Sequence, residues 1–194
     1  LYQPAENRYP PLTKGMPFEE GDASGFDDVF PSMGNETVAW QGRQLTMPDH
    51  GEIWTMPMDA SFHQDTLLLR CFPALFPCAY EKEIRLTEDT VHYAVTIRNL
   101  GDQPMPCLWV CHCLMNLEPE MTFALPWEGQ QVENVMDGSI LGAMGQLYDP
   151  HTGAFDFTML PPDGTAMKYY LSSPVKEGYC TVTYPQSGVR ADMM

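Results

Sequence analysis

Short runs of strand-forming residues, separated by turn residues and never by a helical pattern, constrain this chain more than any other feature. Thr66–Phe72, Tyr80–Leu86 and Val91–Arg98 each have strand length and strand composition, and turn residues bound them. Successive side chains on a strand point to opposite sides, so Val91, Tyr93, Val95 and Ile97 share one face. His92, Thr96 and Arg98 share the other. The last two runs predict a hairpin that turns at Glu88 and Asp89, with His92 solvated. Cys107–Leu114 is apolar on both faces and predicts a strand central in a sheet. Further strands are expected at Thr122–Leu125, Met167–Ser172 and Tyr179–Tyr184. No stretch carries an amphipathic helical period over three turns. The pattern predicts an all-β sandwich.

Residues 1–35, rich in Pro, Gly and acidic residues, show neither period and read as an extended arm or a series of loops. No internal repeat or low-complexity linker interrupts the rest, so residues 1–194 read as a single domain. A chain of 194 residues can bury a sizeable core without disulfides or metals.

Composition narrows the choice of partner. The chain has 26 acidic and 10 basic residues, a formal charge of −16, and no block of Lys or Arg that could track a phosphate backbone. Nucleic acid and anionic membranes are therefore poor partners, and a neutral ligand fits better. No apolar run approaches the roughly eighteen residues of a spanning helix, and Leu1–Arg8 lacks the basic and apolar regions of a leader. The six cysteines, in a chain this long with an ordinary apolar fraction, read as reduced and mostly buried thiols, which implies a cytoplasmic protein. The sequon Asn35-Glu36-Thr37 would matter only in a secreted protein.

Two histidines carry the candidate chemistry. His50 lies in Pro48-Asp49-His50-Gly51-Glu52-Ile53-Trp54, where it reads either as an exposed loop histidine or as a ligand contact, since the glycine permits a close turn and Trp54 offers an aromatic surface. His112 lies in the predicted strand beside Leu108, Val110 and Leu114, where it reads either as a satisfied core residue or as a proton donor. If the chain is extended there, Glu52 and Trp54 fall on one side and place an acceptor beside an aromatic platform. Asp27 and Asp28 read either as a carboxylate pair near a polyol or as caps of the turn at Pro31. Cys107, Cys111, His112 and Cys113 invite a zinc reading. Strand alternation turns Cys111 and Cys113 away from His112, and no second pair stands at finger spacing, so no metal is expected. His63 and His151 sit in polar, turn-like surroundings and read as surface residues.

Several segments taken together resemble the aldose 1-epimerase (galactose mutarotase-like) family. They are Gly25-Phe26-Asp27-Asp28-Val29-Phe30-Pro31, Pro48-Asp49-His50-Gly51-Glu52, the hairpin from Ile84 to Leu100, and Leu108–Leu114. The resemblance runs in order over roughly residues 24 to 185. It implies a large twisted antiparallel β-sandwich, the galactose mutarotase-like supersandwich, with the site in the concave face of one sheet. It implies that His50 binds the sugar and that His112 protonates the ring oxygen, while a carboxylate takes the anomeric proton and no cofactor is needed.

The glutamate that serves as general base in that family lies near the C-terminal end, and no counterpart is found before Met194. The chain also begins without the family's opening strands. It is therefore expected to be an internal portion of a longer protein, with the base supplied from beyond it, or a shortened member of the family. Hexose-6-phosphate epimerases resemble His-Gly-Phe-Ala-Arg where this chain has His50-Gly51-Glu52-Ile53-Trp54. Replacing a bidentate cation by an indole favours an uncharged hexose. The expected functional residues are His112 as general acid and His50, Glu52, Trp54 and Asp27 as sugar contacts. The second reading is a carbohydrate-binding protein without catalysis on the same fold. Neither the particular sugar nor the oligomeric state is encoded in a form that sequence reading reaches.

Overall fold

The computed structural model describes residues 10–21, 25–153 and 155–194. The parts of the N-terminal arm at 1–9 and 22–24 lie outside the described residues. The protein is all-β: the described residues form fourteen strands and two short 3-10 turns, and every strand pairing is antiparallel. The chain, read above as one domain, packs as two compact units, Leu1–Asn116 and Leu117–Met194.

The first unit holds β1 (Phe26–Val29), β2 (Glu36–Trp40), β3 (Arg43–Met47), β4 (Asp59–His63), β5 (Thr66–Cys71), β6 (Cys78–Thr87), β7 (Thr90–Asn99) and β8 (Val110–Cys113). Its largest sheet has the order β4-β5-β6-β7. The expected hairpin is there as ten-residue β6 and β7, running in register from Cys78 opposite Asn99 to Thr87 opposite Thr90. The turn is at Glu88 and Asp89, as the sequence predicts, and His92 is exposed. One face of this sheet carries Leu67, Leu69, Cys71, Tyr80, Lys82, Ile84, Tyr93, Val95 and Ile97.

The β2-β3 hairpin turns through Gln41 and Gly42, both at positive φ (50° and 71°), the conformation that matches the twist of paired strands. Its apolar residues Val38, Trp40, Leu45 and Met47 close over Phe30, Ile53, Phe76 and Tyr80, forming a layered core with the larger sheet. The Trp40 indole donates to the Pro104 carbonyl at 2.8 Å and ties the hairpin to the loop before β8.

Three expectations need correction. The arm is not loop throughout, since Phe26–Val29 is strand β1. The predicted central strand at 107–114 is regular only over Val110–Cys113 and pairs with β1 alone, in a two-stranded sheet. The register continues at both ends, with Leu108 N–H donating to Pro31 O (2.8 Å) and Leu114 N–H to Gly25 O (2.9 Å). Pro31 has no N–H to return the bond to Leu108, which ends the regular ladder there. The thiols are all free, but only Cys71 and Cys78 are buried, so they are not mostly buried.

The second unit contains two three-stranded sheets. One is β10 (Val132–Asn134) between β11 (Leu147–Tyr148) and β12 (Tyr169–Leu171). The other is β13 (Cys180–Tyr184) between β9 (Thr122–Ala124) and β14 (Val189–Met193). The three strands expected here coincide with β9, β12 and β13. Its core is Val132, Leu141 and Phe157, ringed by Trp127, Tyr148 and Tyr169. Buried Asn134 is satisfied by donating to the carbonyls of Gly142 (2.9 Å) and Ala143 (3.1 Å).

Candidate functional site

β1 organises the site because its two faces do different work. Asp28 points inward, where its carboxylate is 3% exposed and meets the Lys82 ammonium at 2.6 Å. The Tyr93 hydroxyl donates to the same carboxylate oxygen, and the Trp109 indole donates to the other at 3.2 Å. Burial is the largest cause, and the adjacent carboxylate a further one, that push the Tyr93 and Tyr80 phenols far above their ordinary range. Both therefore stay protonated at any pH the fold experiences, and Tyr93 serves as a permanent donor. This network fixes β1 against β6, β7 and the approach to β8. Asp28 is thus a structural anchor rather than a turn cap.

Alternation turns Asp27 to the other side. In the β1-β8 register Asp27 stands directly opposite His112, and Asp28 opposite Cys111. Residues directly opposite in an antiparallel pair share a face, with Cβ atoms about 5 Å apart. Asp27 and His112 are therefore cross-strand neighbours on the face away from Lys82.

The His50 loop is held against the end of β1. Gly51 bridges Phe30 in parallel, the Glu52 N–H donates to the Phe30 carbonyl at 2.8 Å, and the His50 N–H donates to the Met33 carbonyl at 3.3 Å. A side chain at position 51 would put its Cβ 2.1 Å from the Phe30 oxygen, so only glycine fits, as its φ of +73° also requires. His50 is itself left-handed at φ 55°, a conformation rare outside glycine that the loop enforces.

The two candidate imidazoles consequently meet. The ring centroids of His50 and His112 are 5.3 Å apart. His50 Nδ1 lies 2.8 Å from Asp49 Oδ2, so beside an ionised carboxylate it carries the proton and Nε2 becomes the nitrogen offered to a ligand. Neutral His50 would then accept a hydroxyl proton, and only the imidazolium would donate one.

Sequence reading overlooked a third ring. Phe18, in the 3-10 turn Phe18–Glu20, stacks on His50 at 3.8 Å with the planes 7° from parallel, and its centroid is 5.6 Å from that of His112. Trp54 meets Phe18 edge-on at 5.2 Å. Gly21 lies so close over the indole that a Cβ there would be 2.7 Å from Trp54 Cζ3. Nothing in an aperiodic Pro- and Gly-rich arm singles out Phe18, one of five aromatic residues in the first 35, as a site residue.

Glu52 is placed differently from the extended reading. Ile53–Thr55 forms a 3-10 turn, which separates Glu52 from Trp54. The Glu52 carboxylate is buried and accepts the backbone N–H groups of Ala74 (3.1 Å) and Leu75 (2.9 Å), so its work is to hold that loop. The structure gathers His50, His112 and Trp54 around Phe18, sets Asp27 opposite His112 in the β1-β8 pairing, and directs Glu52 to the 74–75 loop. Among the described residues, no three His, Cys, Asp or Glu side chains are grouped to hold a metal ion, and no helix is long and apolar enough to cross a membrane.

The chain matches no family model, and neither a curated protein nor a solved structure matches it.

Proposed function

We propose that this chain is an aldose 1-epimerase-type isomerase that acts on a neutral hexose in the cytoplasm, with His50 and His112 in its site. The observation that carries the reading is the approach of His50 and His112 to 5.3 Å within an aromatic setting of Phe18 and Trp54. Two imidazoles at this separation can address neighbouring oxygens of one small polyol, and aromatic surface suits the apolar C–H face of a pyranose. In this reading His112 protonates the ring oxygen as the ring opens. His50, oriented by Asp49 and by the stacked Phe18, fixes a hydroxyl through Nε2. The general base in this reading is a carboxylate that takes the anomeric proton.

The formal charge of −16 and the indole at position 54 support an uncharged sugar over a sugar phosphate. Six free thiols fit a reducing compartment. Titration with glucose and with glucose 6-phosphate, followed by the imidazole NMR resonances, tests the binding step. Both imidazoles should shift with the neutral sugar and not with the phosphate; unshifted imidazoles with both would refute the reading. A second reading is a sugar-binding protein without turnover. It draws on the His50 ring itself, which is covered on one face by Phe18 and tied at Nδ1 to Asp49, an arrangement suited to holding a hydroxyl.

A further inference from the structure

Cys111 and Cys113 flank His112 on β8, and alternation sends both thiols to the face opposite the imidazole. Their sulfurs lie 3.8 Å apart; Cys111 is exposed and Cys113 half-buried. That separation is far longer than the roughly 2.04 Å of a disulfide, so direct bridging would require the strand to pucker. It lies a small side-chain rotation from the spacing of two thiolates on one pyramidal three-coordinate atom, roughly 3.5 Å for bonds of about 2.3 Å and angles of about 100°. A four-coordinate ion would want two further protein donors, and no third His, Cys, Asp or Glu among the described residues completes such a set. The geometry points to a two-thiol site for a thiophilic centre that brings its own remaining substituent, a monosubstituted trivalent arsenical being the simplest of that class.

The chemistry balances without an oxidant. Two S–H bonds break, two As–S bonds form, and the oxide oxygen of the reagent leaves with both protons as water while arsenic stays trivalent. The pair is also differentiated: the hydrogen bond with Cys111 is the leading cause lowering the Cys113 thiol, while the same bond, together with burial, raises Cys111. One sulfur is therefore predisposed to attack first. The site is independent of the sugar reading, because it uses the other face of β8.

The probe is phenylarsine oxide, added to the full chain, challenged with excess glutathione and weighed intact. A single equivalent should survive the monothiol and leave on addition of a dithiol. It should be lost from Cys111→Ser and from Cys113→Ser and retained by Cys107→Ser, whose exposed thiol neighbours Cys78. Alkylation mapping of the unmutated chain gives a second readout that needs no variant, with Cys111 and Cys113 alone protected by the reagent. No retained equivalent, retention by either serine variant at the unmutated level, or protection of a different pair would overturn the assignment.

Discussion

A carboxylate that is 3% exposed in an apolar layer persists only because three donors reach it, and Asp28 receives them from Lys82, Tyr93 and Trp109. Removing either charge strands the other. Asp28→Asn and Lys82→Met are each expected to cost about 3–5 kcal/mol in urea unfolding, and the double variant should recover part of the loss because no buried charge is left unpaired. A second residue-scale expectation concerns Cys71 and Cys78, whose thiols burial pushes up to about 11 from 9.0. Below pH 9.0 these thiols are protonated in the folded and unfolded chain alike. Between 9.0 and about 11 the unfolded chain releases the protons and the folded chain keeps them, so stability falls as pH rises through this window. Urea midpoints measured across it should decline, and Cys71→Ala with Cys78→Ala should flatten the decline. Trp54→Ala should weaken sugar binding about 3- to 10-fold by titration calorimetry, in line with the loss of one aromatic contact.

At the scale of elements, the His50 loop is constrained by the close approach of Gly51 to Phe30. Gly51→Ala must both strain a φ of +73° and push a Cβ into the Phe30 carbonyl. A loss of at least about 2 kcal/mol in thermal unfolding is expected, together with displaced His50 resonances. The β6-β7 hairpin was legible because Tyr93, Val95 and Ile97 alternate cleanly with exposed partners and the turn residues intervene at one point. β1 was not, because Phe26-Asp27-Asp28-Val29 puts two acids in its centre, and its burial makes sense only with donors 54 to 81 residues away. A signal was nevertheless present: Lys82 interrupts the apolar face of Cys78, Tyr80 and Ile84, and a lysine there demands a buried anion. β4 was missed because all five of its residues are exposed and leave no alternation to read. His50, His112, Asp27 and Trp54 could be named from local motifs. The role of Glu52 could not, since the acceptor pattern depends on a loop more than twenty residues downstream.

At the scale of the molecule, two units with separate apolar cores share one chain, and the candidate site belongs to the first. The acidic excess, 26 against 10 residues, gives the chain a formal charge of −16, which opposes the approach of other anions. The central claim is that the paired imidazoles serve sugar ring opening. The most direct measurement is NMR exchange spectroscopy between the α and β anomeric protons of glucose and galactose, with His112→Ala and His50→Ala beside the unmutated chain. Exchange above the buffer rate is expected with the unmutated protein and should fall to the buffer rate in His112→Ala. Exchange that persists unchanged in His112→Ala, or none above buffer with the unmutated protein, would contradict ring opening by the paired imidazoles.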